Sequence, residues 1–274
     1  MEVAVVQMKT ENSIEENLRK AERMVEEACA TKKDLVVLPE MFLCPYEAQN
    51  FPKFATKEGD YVFHRLSNMA KQHQIYLVAG SVPELDEEGK VYNTSYVFDR
   101  TGAMLGKHRK VHLFDINMVG KHCFRESDTL TAGDDITVVD TEFGKIGVCI
   151  CYDIRFPELF RLMVEQGAKL IVVPACFTLT TGEAHWDIFF RVRSTENQVF
   201  MIGAAGALDE NGPFQSYGHS LVVSPFGDIL GEMQQEEGIL STTIELKEVE
   251  KVREENPFLQ HRRLDLYEVR KKDR

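Results

Sequence analysis

Three short stretches of this 274-residue chain bring together residue types able to do covalent chemistry. Leu38-Pro39-Glu40-Met41-Phe42 places a carboxylate where an apolar strand ends, and Lys107-His108-Arg109-Lys110-Val111-His112-Leu113-Phe114 is rich in cations. Gly147-Val148-Cys149-Ile150-Cys151-Tyr152-Asp153-Ile154-Arg155-Phe156-Pro157-Glu158 places a thiol where a strand gives way to a helix. A thiolate attacks carbonyl carbon, a carboxylate moves the proton, and an ammonium stabilises a developing oxyanion. On residue types alone these stretches describe a possible cysteine hydrolase and no more. A cysteine in an apolar strand is usually a small core residue. Glu40 and Lys110 read equally well as solvated charges, and a Cys–His pair can be drawn with any of the eight histidines.

The elements that must position these groups follow from periodicity. Val3 to Met8 reads as a buried strand. Ser13-x-x-Glu16 has capping-box spacing ahead of Ile14, Leu18, Ala21, Val25 and Ala28 at helical intervals. Leu35 to Leu38 is a second strand, ended by Pro39 before Glu40. A helix over 60–74 and a strand over 75–81 repeat the order. Strand, helix, strand implies a right-handed crossover between parallel neighbours. Two segments, 91–98 and 103–107, flank Asp99-Arg100-Thr101-Gly102 and read as a hairpin. Further on come a strand over 146–151, a helix over 157–166 closed by Gly167, a strand over 170–173 and a helix over 184–198. Strands over 199–205, 219–224 and 239–245 and a short helix over 247–255 complete the pattern. The alternation with interposed hairpins predicts α/β layers with mixed sheets, and ligands gather at strand ends in such folds. With no repeat or linker, one domain over 1–267 is expected, followed by a basic, disordered tail over 268–274.

Composition narrows the function. The net charge is −12 and the pI about 5.2, so phosphate backbones and anionic membranes are not expected partners. No apolar run approaches the roughly 18 residues of a membrane span. Met1-Glu2-Val3-Ala4-Val5-Val6 lacks a basic region and cleavage site, so it reads as a strand, and the expected compartment is the cytoplasm. There the six cysteines, 29, 44, 123, 149, 151 and 176, are expected as free thiols. Asn93-Thr94-Ser95 then has only a formal match to the glycosylation pattern.

Phosphate-binding glycine loops, a Gly-x-Ser-x-Gly elbow and His-Glu-x-x-His are absent. His108 and His112 have metal-pair spacing only on a helix, and Lys107, Arg109 and Lys110 around them repel a cation, so no metal is expected. Glu183, His185 and Trp186 read as packing and capping residues, with a pocket wall as the alternative.

Taken together, the three stretches resemble the nitrilase superfamily of carbon–nitrogen hydrolases, whose sites use Glu, Lys and Cys. Glu40, Lys110 and Cys151 stand at the three motif positions in the right order, and the resemblance runs over about residues 2–267. Finer details resemble the ω-amidase (Nit2-like) branch: Lys110-Val111-His112-Leu113-Phe114-Asp115-Ile116, Phe124-Arg125-Glu126-Ser127, Phe177-Thr178-Leu179-Thr180-Thr181-Gly182 with Ala184-His185-Trp186, Tyr217-Gly218-His219-Ser220 and Arg262-Arg263-Leu264-Asp265-Leu266-Tyr267. The resemblance implies a four-layer α-β-β-α sandwich, a homodimer or higher homo-oligomer, and a cofactor-free amidase acting on a small-molecule amide. It implies Cys151 as nucleophile, Glu40 as general acid and base, and Glu126 as the second carboxylate that holds Lys110. Lys110 and the backbone N–H of Tyr152 would hold the oxyanion.

ω-Amidases cleave the terminal carboxamide of acids such as 2-oxoglutaramate or 2-oxosuccinamate. A planar guanidinium suits the substrate's carboxylate, which makes Arg155 the candidate binder, with Tyr46 and Thr181 adding hydrogen bonds. Arg155 reads equally as an ion-pair partner of Asp153 or Glu158. Glu47 departs from the small residue usual after Pro-Tyr and would repel an acidic substrate if it faced the pocket. Competing readings are a same-fold amidase for deaminated glutathione or an N-carbamoyl compound, a catalytically silent scaffold, and a redox sensor built on Cys149 and Cys151.

Overall fold

The structure, a computed structural model, describes residues 1–117 and 123–272. The chain begins β1 (Glu2–Gln7), α1 (Ile14–Ala28), β2 (Leu35–Val37), α2 (Tyr61–His73), β3 (Tyr76–Leu85), β4 (Val91–Phe98) and β5 (Met104–Arg109). It continues through β6 (Asp115–Asn117), β7 (Cys123–Arg125), β8 (Thr137–Thr141), β9 (Gly144–Val148), α3 (Pro157–Glu165) and β10 (Ala168–Ala175). It ends with α4 (Leu179–Asn197), β11 (Phe200–Ala205), β12 (Leu221–Val223), β13 (Ile229–Glu232), β14 (Gly238–Thr243) and α5 (Glu248–Glu255).

Two six-stranded sheets share one plan, in the orders β14-β1-β2-β3-β4-β5 and β13-β12-β11-β10-β9-β8. In each, three parallel strands form the middle, β1-β2-β3 and β9-β10-β11, and antiparallel strands form the wings. The central parallel strands are apolar on both faces because both faces are covered. Val3, Val5, Leu35 and Val37 of one sheet meet Val148, Leu170, Val172 and Ile202 of the other. The alternate residues Ala4, Val6 and Val36 pack under α1 and α2, and Ile171, Val173 and Met201 pack under α3 and α4. The result is helices, sheet, sheet, helices, as the resemblance implies.

The parallel pairing of β1 with β2 and the β4–β5 hairpin match the periodicity, and the Ser13 hydroxyl caps α1 by accepting the Glu16 N–H. Two elements differ in ways that matter for chemistry. The strand expected over 146–151 ends at Val148, so Cys151 lies in a turn beyond it. The helix expected from 184 begins at Leu179, capped by the Thr178 hydroxyl. In its first turn Thr180, Thr181 and Gly182 are poor helix formers. Gly182 is required there by packing, since a Cβ would lie 2.1 Å from the Tyr217 ring. The strands β8 and β13 and the small β6–β7 sheet carry too little apolar periodicity to be read from sequence.

Cys29, Cys44, Cys149, Cys151 and Cys176 are free thiols, and the side chain of Cys123 lies outside the described part. Residues 268–272 of the basic tail form no helix or strand, with Lys271 against Asp135, and 273–274 lie outside the described residues. Among the described residues no helix is long and apolar enough to cross a membrane.

Candidate active site

Glu40 follows the C-terminal end of β2. The turn that holds it is braced by β3: Ser81 Oγ accepts the Met41 N–H at 3.0 Å, and the Ser81 N–H donates to Pro39 O at 3.2 Å. This close passage explains Gly80, whose φ is +41° and whose Cβ would lie 2.1 Å from Pro39 O. Lys110 follows the last residue of edge strand β5, its N–H bonded to Asn93 O and its carbonyl to the Gly133 N–H, each at 2.8 Å. Cys151 opens the 3-10 turn Cys151–Arg155 after β9. One sheet therefore presents the acid and the amine, and the other presents the thiol.

Cys151 has a φ of +45°, the left-handed region that non-glycine residues avoid. Asp153 supplies the restraint. Its Oδ2 accepts the Ile150 N–H and meets His108 Nε2, both at 3.0 Å; its Oδ1 accepts the His112 N–H at 2.9 Å and meets His112 Nδ1 at 2.8 Å. Burial alone would raise the Asp153 carboxyl, but the hydrogen bonds from His108 and His112 outweigh it and hold the group well below the usual carboxylate range. This one fully buried carboxylate ties the Lys110 segment to the Cys151 turn. His108 and His112 thus brace a carboxylate, and His112 also stacks on Phe156 at 3.6 Å.

The three side chains converge. Lys110, fully buried, donates to Glu40 Oε1 and Glu126 Oε1, each at 2.9 Å. Two of its three N–H bonds are thereby used and one is left for an incoming oxygen. Glu40 Oε1 also accepts from Asn93 Nδ2 at 2.8 Å. The Tyr46 hydroxyl lies 2.6 Å from Glu126 Oε1 and 3.3 Å from Glu40 Oε1, so its single proton goes to Glu126. Glu126 Oε2 accepts the Phe114 N–H at 2.6 Å, which satisfies both oxygens of that carboxylate. Glu40 Oε2 has no hydrogen-bond partner among the described residues. The Cys151 sulfur lies 3.9 Å from Cys176 O and shares its field with Glu40 and Lys110.

Burial and the neighbouring charges shift all three groups. Burial raises the Glu40 carboxyl above its ordinary range, against the Lys110 ammonium and with a further push from Glu126. Burial works to strip the proton from Lys110, but Glu126 and Glu40 outweigh it and the amine stays charged. Burial and then Glu40 push the Cys151 thiol well up, and Lys110 does not offset them. The site sets a thiol held neutral beside Glu40, whose Oε2 has no hydrogen-bond partner among the described residues. That arrangement demands proton transfer during attack. Above it, Glu40, Cys44, Tyr46, Cys176, Phe214 and Ser216 line a small cavity.

A model of the carbon-nitrogen hydrolase family matches residues 2–254. This chain belongs to that family. It is 44% identical over 257 residues to the omega-amidase NIT2 of Xenopus tropicalis, covering 94% of this chain and 93% of that protein. It is 42% identical over 270 residues to the omega-amidase NIT2 of Mus musculus, covering 98% of each. Among solved structures, Saccharomyces cerevisiae Nit3, a member of branch 10 of the nitrilase superfamily, superposes with a TM-score of 0.89 at 37% identity, covering 96% of each chain.

Around this carbon-nitrogen hydrolase centre the remaining sequence-derived residues divide. Tyr46 stands inside the polar cluster. Arg155 forms no ion pair among the described residues, which overturns the reading that pairs it with Asp153 or Glu158. Asp153 is occupied by the two histidines, and Glu158 is exposed in the first turn of α3. The Arg155 guanidinium instead faces the rings of Phe189, Phe177 and Tyr152 at 4.9, 5.4 and 5.5 Å. Thr181 is taken up by the α4 cap, its hydroxyl 2.9 Å from that of Thr178. An outer cavity is lined instead by Thr178 and Thr180, with Phe114, Phe124, Arg125 and Glu47. Glu47 does border this mouth, but its carboxylate accepts from Asn50 and Gln49 at 3.1 and 3.3 Å. Neither cavity is lined by Cys151 or Arg155. The Tyr152 N–H is at the second position of its 3-10 turn, where no acceptor within the turn exists.

Sequence reasoning missed Asn93, Asp153 and His108 as parts of the site. Asn93 was visible only as a formal sugar acceptor, yet it is fully buried beside Glu40. A run of polar residues, Asn93-Thr94-Ser95, inside an otherwise apolar strand was the available signal, since buried polar groups need partners.

Proposed function

We propose that this chain is an ω-amidase that hydrolyses the terminal carboxamide of a small 2-oxo acid such as 2-oxoglutaramate to carboxylate and ammonia. The observation that carries the proposal is the Lys110 ammonium between the Glu40 and Glu126 carboxylates beside the Cys151 thiol. Identity of 42–44% to the two omega-amidases supports the substrate class.

In this reading Glu40 Oε2 takes the thiol proton as sulfur attacks the amide carbon. The oxyanion is held by the third Lys110 N–H and the Tyr152 N–H. Glu40 returns the proton to nitrogen, the C–N bond breaks, and ammonia leaves a thioester on Cys151. Water then loses a proton to Glu40, attacks the thioester, and restores the thiol as the acid departs. Glu126, with both oxygens engaged, holds Lys110 and transfers no proton. No step needs a cofactor or metal. The proposal includes assembly of two or more copies, which light scattering on eluting protein checks directly.

Glu40 acts as base only when ionised, so activity is lost as pH falls through its raised pKa. The acid limb of kcat/KM is therefore expected above the ordinary carboxylate range. Asn93→Ala removes a hydrogen bond to the ionised form and should move that limb further up, by about 0.5–1 pH unit. A pH–rate profile identical to that of the native enzyme would detach Glu40 from the acid limb.

Arg155 is the cation proposed for the substrate carboxylate: it is half-buried and burial destabilises its charge. Arg125 at the outer mouth is exposed and already 3.4 Å from Asp128. Arg155→Ala should raise KM for 2-oxoglutaramate by about 30–100-fold, the loss of a charge-assisted contact, with little change for an uncharged amide. Equal losses on both substrates would make Arg155 structural.

A further inference from the structure

The strongest feature outside the proton-transfer machinery is the way Arg155 is held. Both terminal nitrogens of its guanidinium lie 3.3 Å from one atom, Nδ1 of His185, in the second turn of α4. A guanidinium only donates, so Nδ1 must carry its lone pair and the imidazole is neutral, with its proton on Nε2. His185 itself is fixed edge-on to Phe189, 5.7 Å between centroids. Arg155 Nε is buried with no partner among the described residues. The rest of the guanidinium's surroundings are aromatic.

A half-buried arginine is ordinarily paired with a carboxylate, because desolvation of the cation is otherwise uncompensated. Carboxylates are near in sequence on α4, at Glu183 and Asp187, but both are exposed, and Asp187 pairs with Arg191 at 3.7 Å. The position that meets the guanidinium carries a neutral acceptor. Such an acceptor sets the direction of the fork without cancelling its charge. A carboxylate there would orient the fork equally well but would compete with any incoming anion.

We propose that His185 is a specificity-positioning residue, an uncharged holder that aims Arg155 while leaving its positive charge free for the carboxylate of an anionic amide. This rests on the reading of Arg155 as the carboxylate binder. The inference also gives Ala184-His185-Trp186 a division of labour: Trp186, fully buried, anchors the helix by donating to His219 O at 2.7 Å, and His185 beside it turns outward to the arginine.

The test compares His185→Gln, His185→Ala and His185→Glu with Arg155→Ala, using initial rates on 2-oxoglutaramate and on butyramide, an uncharged amide of similar length. Glutamine keeps a neutral acceptor and should stay within about threefold of the native KM for the anion. Alanine loses the shared orienting contact of both terminal nitrogens and should raise that KM about 5–10-fold. Glutamate adds the competing charge and should raise it about 30–100-fold. In every variant the KM for butyramide should change by a much smaller factor than the KM for 2-oxoglutaramate. If Arg155→Ala separates the two substrates but His185→Glu does not, His185 has no such role and the Arg155 reading stands. If Arg155→Ala fails to separate them, the underlying reading of the carboxylate site falls. Parallel losses on both substrates in all three His185 variants would assign His185 to packing alone.

Discussion

Lys110→Ala should lower kcat for amide hydrolysis by about 10³-fold, roughly the upper range for losing one oxyanion donor, and should also destabilise the fold. The second effect follows from what the lysine separates. Glu40 and Glu126 both bond to its nitrogen at 2.9 Å, and all three side chains are buried. Without the ammonium two buried carboxylates face each other, and breaking such a group costs about 3–5 kcal/mol. For a chain of 274 residues that corresponds to a fall in Tm of roughly 5–9 °C. The pair can escape only by binding a proton, which raises one folded-state pKa above its unfolded value. A raised pKa gives stability below the unfolded value that is lost as pH rises through the folded one. The variant should therefore lose more stability relative to the native protein at pH 8 than at pH 5. Thermal melts at the two pH values, with ammonia release at each, check both parts. A variant with native kcat, or with a deficit that shrinks as pH rises, would contradict the placement of Lys110.

Cys151→Ala gives the opposite combination: no turnover with a nearly unchanged fold. The sulfur's backbone contact is long, 3.9 Å to Cys176 O, and its other neighbour, Glu40, keeps its bonds to Lys110 and Asn93 when the thiol is removed. The left-handed backbone is held by Asp153 through the Ile150 N–H and by the turn bond from the Asp153 N–H to Ile150 O, none of which involves the sulfur. Alanine meets the same backbone cost as cysteine at φ +45°, so the stability change should stay within about 1 kcal/mol. Ammonia release should fall to the background of protein-free buffer. Retained turnover would assign the chemistry elsewhere, for instance to Cys176 or Cys44, which line the adjoining cavity.

The sequence made the layers legible because the central strands obey simple periodicity. Val3 to Val6 and Leu35 to Leu38 are continuous apolar runs that only a two-sided burial explains, and Ser13 marks the start of α1. It placed Glu40 and Cys151 at strand ends from pattern, while their meeting with Lys110 came only through family resemblance. Glu40 lies 70 residues from Lys110 and 111 from Cys151, and no local rule spans such distances. What stayed hidden depends on tertiary packing. The start of α4 at Leu179 relies on Tyr217 lying against Gly182, which overrides weak helix propensity. The roles of Asp153, Asn93 and His185 depend on partners in other elements, 41 to 53 residues away for the first two and 30 for the third. Arg155 kept two readings until the histidines were found on Asp153.

The account stands on covalent chemistry at one sulfur, and mass spectrometry of enzyme quenched in acid during turnover of 2-oxoglutaramate examines it most directly. The peptide containing Cys151 should gain the mass of the acyl group left after ammonia departs, and should lose it on treatment with hydroxylamine. An acyl group found on a different cysteine, or a Cys151 peptide without adduct while Cys151→Ala still releases ammonia, would contradict it.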